Sequence, residues 1–156
     1  MDIYYKSISE SGKQMINYVC KYAPVELFKG FGQECAVLEE MPENFDKSDK
    51  IAHANLCGFG KSVIQAVLEG KVEELVLVNC CDSMRRVYDI IENTKKCKFL
   101  YMLDLPHEDN ECENIKFAQS ILRLKKAYER YSHRTFDREL FIKSFAKPQS
   151  ERKPYI

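Results

Sequence analysis

Residues 74–103, ELVLVNCCDSMRRVYDIIENTKKCKFLYML, hold two short apolar runs on either side of an amphipathic stretch. The runs ELVLV and KFLYML are typical of buried strands. Between them, Met84, Val87, Tyr88 and Ile91 recur at helical spacing. A strand, a helix of about three turns and a second strand form a crossover unit, which favours a parallel sheet. This unit predicts an α/β fold.

The residues before the crossover unit supply further elements. Met15, Ile16, Val19 and Cys20 lie at helical spacing, so we predict a helix over 11–22. The turn residues predict a helix that begins at Pro24 and ends at Gly30 or Gly32. A strand over 34–38 and a loop over 41–52 should follow. The next predicted helix is capped by Gly70, and its apolar face consists of Val63, Ile64, Val67 and Leu68.

After the second strand we predict a long helix from about Asn114 to Tyr131 and a last helix capped near Thr135. Together these elements predict one three-layer α/β domain, 1–145, with a small parallel sheet and helices on both faces. The tail, 146–156, has two prolines and several charges and is predicted to be a linker.

The composition narrows the class of protein. Lysine plus arginine equals aspartate plus glutamate at 24 each, so no net charge favours nucleic acid or an anionic membrane. The apolar runs are far shorter than a membrane span. We expect a soluble, cytoplasmic chain whose seven cysteines are reduced, some in the core and some as metal ligands.

Two short motifs resemble phosphate-binding loops. GFGKS has the end of a Walker A motif, but Asn55 stands where the first glycine belongs. Cys80 and Arg86 have the cysteine-x5-arginine spacing of phosphatases and arsenate reductases. The loop between them has no glycine, and Asp82 would add a negative charge to an anion site, so both interpretations are disfavoured.

Two cysteines have a context that suits a ligand. Cys81 directly follows a predicted strand and opens a helix, at the sheet edge where α/β proteins bind ligands, and Asp104 follows the next strand in the same way. Cys57 precedes Gly58 and Gly60 and also opens a helix, where the helix dipole favours a thiolate. Spacing alone leaves metal binding and core packing both open.

Four stretches in this order resemble the N-terminal domain of the 2-hydroxyacyl-CoA dehydratase and benzoyl-CoA reductase family: YAPVELFKGFG, HANLCGFGKSVIQAVLEG, LVLVNCCDSMRRVYDIIE and FLYMLDLPHE. The most specific parts are Cys-Asp-Ser followed by Arg-Arg, and Leu-Asp-Leu-Pro after the next strand. The resemblance implies an oxygen-sensitive [4Fe–4S] cluster held between two α/β domains by three cysteines, two of them from the first domain.

Carried over residue by residue, the resemblance places the two first-domain ligands on Cys57 and Cys81. Asp82 and Ser83 then either cap the helix or hydrogen-bond to the ligand or substrate. We expect Cys80 to be buried packing. Structural roles are likewise expected for the remaining cysteines, Cys20 on a helix face, Cys35 in a strand, Cys97 just before a strand and Cys112 in a turn.

The resemblance also implies partners: an ATP-dependent activator protein, a paralogous dehydratase subunit and an acyl-CoA substrate that receives a low-potential electron through the cluster. The third cysteine would belong to a second domain that begins near the end of this chain. We therefore expect the chain alone to be inactive and not to retain a cluster stably. The alternatives are an ATP-driven double-cubane reductase of the same family, and a non-catalytic module that forms a homodimer.

Overall fold

The computed structural model describes residues 15–39 and 41–146. The predicted linker, except Ala146, therefore lies outside the described residues. Four strands and five helices are present in these ranges: β1 Ile16–Tyr18, α1 Val25–Lys29, β2 Cys35–Val37, α2 Gly58–Leu68, β3 Glu74–Asn79, α3 Asp82–Thr94, β4 Phe99–Asp104, α4 Glu111–Ser132 and α5 Arg138–Phe145.

The four strands form one parallel sheet in the order β2-β1-β3-β4. From β1 the chain crosses to β2 on one side, and it then returns to place β3 and β4 on the other side. The strand order thus reverses between β1 and β3, where Tyr18 pairs with Val76. In open α/β sheets such a reversal opens a crevice beyond the carboxyl ends of the two strands.

Helices cover both faces of the sheet, as the sequence predicts. Alternate residues of β3 point to opposite faces, so Leu75 and Leu77 belong to one core and Val76 to the other. The first core includes apolar residues of α2 and α3, and the second includes residues of α1 and α4. The α/β prediction is confirmed. No helix in the described ranges is both long and apolar enough to cross a bilayer.

The predicted helix over 11–22 is wrong where it can be compared. Residues 11–14 lie outside the described ranges, and Ile16–Tyr18 is a strand between β2 and β3. Ile16 belongs to one core and Val19 to the other, which is the two-residue period of a buried strand rather than a helical stripe. Two neighbouring strands supply the backbone partners that decide this structure.

Two helix starts also differ from the prediction. Helix α4 begins at Glu111, three residues before Asn114, because the Asn110 side chain accepts a hydrogen bond from the Glu113 amide at 2.9 Å. Helix α5 is capped by Asp137, whose Oδ1 accepts from the Glu139 and Leu140 amides at 2.7 and 3.1 Å. Asp137 is therefore the N-cap of this helix, in place of the predicted Thr135.

Glu74 is a buried carboxyl at the amino end of β3. Its Oε1 accepts a hydrogen bond from the Tyr131 hydroxyl at 2.9 Å, while its Oε2 is buried and has no hydrogen-bond partner among the described residues. Burial raises the pKa of Glu74, and the Tyr131 hydrogen bond offsets only part of that shift. The folded state therefore binds the Glu74 proton more tightly than the unfolded state does.

The raised pKa of Glu74 predicts that Glu74→Gln changes the free energy of unfolding by an amount that depends on pH. The stability that protonated Glu74 contributes is fully present below its unfolded pKa and is lost as the pH rises through the raised folded pKa. Glu74→Gln should therefore gain stability relative to the wild type between pH 4 and pH 7, by about 1 kcal/mol, the scale of one unsatisfied buried polar group. Urea denaturation at several pH values measures this difference. Glu73→Gln at the half-exposed neighbour is the control and should show no such rise.

Candidate functional site

A cavity of about 370 Å³ opens where the strand order reverses, beyond the carboxyl ends of β1, β2 and β3. The part of its wall formed by described residues is mainly apolar, with one acidic side chain and four thiols. The lining residues are Val19, Cys20, Val37, Leu38, Glu39, Cys57, Phe59, Cys80, Cys81 and Met84. Four of the seven cysteines of the chain thus share one cavity.

Cys57 is the N-cap residue of α2 and is exposed. Its sulfur accepts a hydrogen bond from the Gly60 amide at 3.3 Å, so the first turn of the helix holds the thiol at the cavity wall. A side chain at Gly60 would lie 3.0 Å from Val87 Cγ2 and 3.4 Å from the Cys57 sulfur. The glycine therefore lets α2 pack closely on α3 while Cys57 keeps its place.

Cys81 is the N-cap residue of α3 and is also exposed. Its side chain accepts no capping hydrogen bond from the helix. The structure therefore brings the two cysteines singled out in the sequence, Cys57 and Cys81, to one cavity, each at the start of a helix. Helix N-termini carry partial positive charge, which stabilises a thiolate.

Asp82 and Ser83 do not cap α3. Asp82 is the first residue of the helix, with a side chain that is 95% exposed and 3.8 Å from the Arg85 guanidinium. Neither residue lines the cavity. The capping interpretation is therefore wrong, and a hydrogen-bonding role toward a ligand stays a prediction for both residues.

A polar network fixes the start of α3 against the ends of β3 and β4. Arg85 donates from Nε to the side-chain oxygen of Asn79 at 2.7 Å, and Asn79 donates to Asp104 at 3.0 Å. These three side chains join two strand ends to the helix that Cys81 opens. Both hydrogen bonds lie next to Cys81 and link the first turn of α3 to the two strand ends.

Cys80 is exposed, which contradicts the expectation of buried packing. The chain leaves the sheet after Asn79 to enter α3, so Cys80 is no longer covered by the helices on either face. It lines the cavity together with Cys20 and Cys81. Partial burial and these two thiols raise the pKa of Cys80 to about 11. A phosphatase nucleophile requires the opposite shift.

Cys20 is the site residue that the sequence analysis missed. It lies two residues after the end of β1, lines the cavity and has a φ of 79°, a backbone conformation that favours glycine. The predicted helix placed this residue on a helix face. The signal that could have found it is the position of a cysteine just after a strand, the same context that singled out Cys81.

The other three cysteines lie outside the cavity. Burial raises the pKa of Cys35 and Cys97 to about 12, so both thiols stay protonated in or beside the core. Cys112 is exposed in the first turn of α4 rather than in a turn. The GFGKS motif forms no phosphate loop, because Gly60, Lys61 and Ser62 lie within α2.

Across the two described ranges, no three histidine, cysteine, aspartate or glutamate side chains are placed to hold one metal ion. An iron–sulfur cluster needs a wider arrangement of ligands than a single ion does. Each thiolate binds its own iron, so the cysteine sulfurs lie farther apart than they do around one ion. The thiols of the cavity are the soft ligands that iron–sulfur clusters use.

A comparison with known protein families identifies the family of this chain. Residues 20–155 match the model of the 2-hydroxyglutaryl-CoA dehydratase D-component. The chain belongs to this family. The matched range begins at Cys20 and includes every residue of the cavity except Val19. The family resemblance drawn from the sequence is thereby confirmed. No curated protein matches the chain.

Proposed function

We propose that this D-component family member is the cluster-binding part of a 2-hydroxyacyl-CoA dehydratase, and that Cys57 and Cys81 each bind one iron of a [4Fe–4S] cluster. The observation that carries the proposal is the convergence of these two exposed thiols on one cavity at the reversal of the strand order. The family resemblance points to these two residues as ligands, and both line the same cavity of the fold.

The surroundings of the two thiols suit this role. Both cysteines are N-cap residues, so the positive ends of α2 and α3 face the cavity and offset the negative charge of two thiolates and a cluster. Val37, Leu38 and Met84 make much of the wall apolar. An apolar wall limits access of water and lowers the local dielectric, and both properties influence the potential of a bound cluster.

When bound, the cluster supplies one low-potential electron to the thioester of the acyl-CoA substrate. The side chains of this protein hold and orient the cluster. Cys57 and Cys81 act as ligands, and Arg85, Asn79 and Asp104 keep the start of α3 in place. Among the described residues that line the cavity, Glu39 is the one carboxylate.

The remaining parts of the enzyme are proposed from the family. A third cysteine would come from a second domain of the same polypeptide, and the electron from an ATP-dependent activator protein. A paralogous subunit would complete the dehydratase. With two of three ligands, the chain alone is expected to show no turnover and to need an added thiol to keep a cluster.

Electron paramagnetic resonance of the reduced cluster tests this function. The chain is reconstituted anaerobically with ferrous iron, sulfide and excess 2-mercaptoethanol, whose thiolate can occupy iron sites that the chain leaves open. We expect 2-hydroxyglutaryl-CoA to shift the signal. Glutaryl-CoA, which lacks the hydroxyl group, and free coenzyme A are the matched controls. A signal that none of these compounds alters, in protein that carries the cluster, would overturn the assignment to an acyl-CoA enzyme.

A further inference from the structure

A second cavity, of about 290 Å³, opens beyond the carboxyl end of β4, between the loop that follows this strand and residues 113–123 of α4. No described residue lines both this cavity and that of the four cysteines. Both lie at the carboxyl edge of the same sheet, which is where open α/β sheets bind their ligands. Small-molecule sites begin at a volume of about 300 Å³, so the second cavity has room for one nucleoside-sized group.

Helix α4 brings a cation and a buried hydroxyl to this cavity. Among the described residues, no carboxylate forms an ion pair with the exposed guanidinium of Arg123, whereas the nearby Lys116 is paired with Glu113 at 2.6 Å. Ser120 is 4% exposed, and its hydroxyl has no hydrogen-bond partner within the described ranges. A buried hydroxyl without a partner costs free energy, which a bound molecule can offset. Ser120 and Arg123 are three residues apart on the helix, so one molecule can reach both.

The strand end and its loop supply the other side of the cavity. Oδ1 of Asp104 accepts a hydrogen bond from Asn79 at 3.0 Å, and Oδ2 accepts none from a described residue. In dinucleotide-binding α/β folds an acidic side chain binds a ribose hydroxyl, and an arginine accommodates a phosphate on the ribose where one is present. Pro106 and the half-buried ring of Phe117 also line the cavity, and aromatic rings are surfaces on which bases stack. The wall therefore combines partners for a phosphate, a sugar and a base.

We propose that the second cavity binds the nucleotide end of the acyl-CoA substrate, an adenosine 3′,5′-bisphosphate group. Arg123 binds a phosphate oxygen, Asp104 accepts from the free ribose hydroxyl, and the base lies against Phe117 with the Ser120 hydroxyl as a hydrogen-bond partner. This inference rests on the proposed function, which supplies the acyl-CoA.

The position of the second cavity relative to the four cysteines suits a long substrate. Asn79 and Asp104 are paired across β3 and β4, and Cys80 of the first cavity directly follows Asn79. The two cavities are thus separated at the sheet edge by the ends of neighbouring strands, which lie about 4.8 Å apart. The pantetheine arm crosses these strand ends, and its thioester reaches the cavity of Cys57 and Cys81.

Calorimetry of the full chain, reduced and metal-free, tests this site without depending on a cluster. With adenosine 3′,5′-bisphosphate as the titrant, we expect saturable binding of one molecule per chain, at least about tenfold tighter than that of adenosine, because a phosphate adds charge-assisted hydrogen bonds to Arg123. The 2′-deoxy analogue lacks the hydroxyl assigned to Asp104 and should bind several-fold more weakly. Inorganic phosphate should not displace the nucleotide at equal concentration.

Variants of α4 assign the phosphate contact. Arg123→Gln should abolish the preference for the bisphosphate over adenosine and leave the affinity for adenosine unchanged. Arg130→Gln is the matched control, since Arg130 is exposed in the last turn of the same helix and does not line the cavity. Ser120→Ala should weaken binding of adenosine and of the bisphosphate by the same factor. The comparison of ligands on the wild-type chain tests the site even if a variant fails to fold.

Four results would overturn the proposal: no saturable binding at millimolar bisphosphate, equal affinity for adenosine and the bisphosphate, a preference that survives Arg123→Gln, or displacement by equimolar inorganic phosphate. The fate of the proposed function is read separately. If the bisphosphate does not bind while 2-hydroxyglutaryl-CoA still shifts the signal of the cluster, the nucleotide site is wrong and the proposed function stands.

Discussion

Cys81→Ser is expected to lower the iron bound after anaerobic reconstitution by about tenfold or more, since loss of a mere supporting hydrogen bond already costs 10–100-fold in metal affinity. A serine hydroxyl is a harder and far less acidic donor than a thiol, so it is a poorer iron ligand than a thiolate. Cys81 is exposed and makes no capping hydrogen bond, so the substitution should leave the fold intact. Iron and sulfide analysis measures the loss, and circular dichroism checks the fold.

Three other cysteine variants make this prediction selective. Cys57→Ser should lose iron to the same extent, because it removes the other proposed ligand. Cys80→Ser, one residue away, and Cys112→Ser, outside the cavity, should keep the wild-type iron content. Iron that is retained in Cys81→Ser but lost in Cys80→Ser would move the ligand assignment to Cys80.

Of the substitutions proposed for this chain, Tyr128→Ala should lower the free energy of unfolding the most. Tyr128 is 1% exposed, and its ring lies 5.1 Å from that of Phe28, 5.2 Å from Phe31 and Phe99, and 6.0 Å from Tyr131. It thus joins α1, α4 and β4 in one core. Removing a large buried aromatic side chain costs about 3–5 kcal/mol, which is much of the stability of a typical domain.

Urea denaturation of purified protein measures this loss as a lower midpoint. Tyr128→Phe is the matched control, because it keeps the ring and its edge-to-face contacts and should lose much less stability. A loss below about 1 kcal/mol for Tyr128→Ala would show that the ring cluster does not hold this face of the sheet together. Leu122→Ala, at an exposed position of the same helix, should change the midpoint little.

The crossover unit could be predicted from the sequence because its signals are long and agree with one another. Six-residue strands such as β3 give a complete apolar run, and α3 has an apolar face over three turns. Strand β1 has only three residues, and its apolar neighbours also fit a helical spacing. Pairing with β2 and β3 decides its structure, and that pairing is not visible in a local pattern.

The candidate site was likewise predictable from the sequence only in part. Cys57 and Cys81 could be singled out because each precedes a recognisable helix and matches a family motif. The place of Cys20 depends on the strand order, since only the adjacency of β1 and β3 brings it to the cavity that Cys80 also lines. The exposure of Cys80 depends on where the chain leaves the sheet, which strand alternation alone did not indicate.

Mössbauer spectroscopy of the wild-type chain, reconstituted anaerobically with iron-57, sulfide and 2-mercaptoethanol, tests the central claim most directly. Binding of a [4Fe–4S] cluster through Cys57 and Cys81 predicts the spectrum of a cubane with thiolate ligands, and its absence from the double variant Cys57→Ser/Cys81→Ser. A folded wild-type chain that binds no iron, or only single iron ions in oxygen or nitrogen coordination, would contradict the claim.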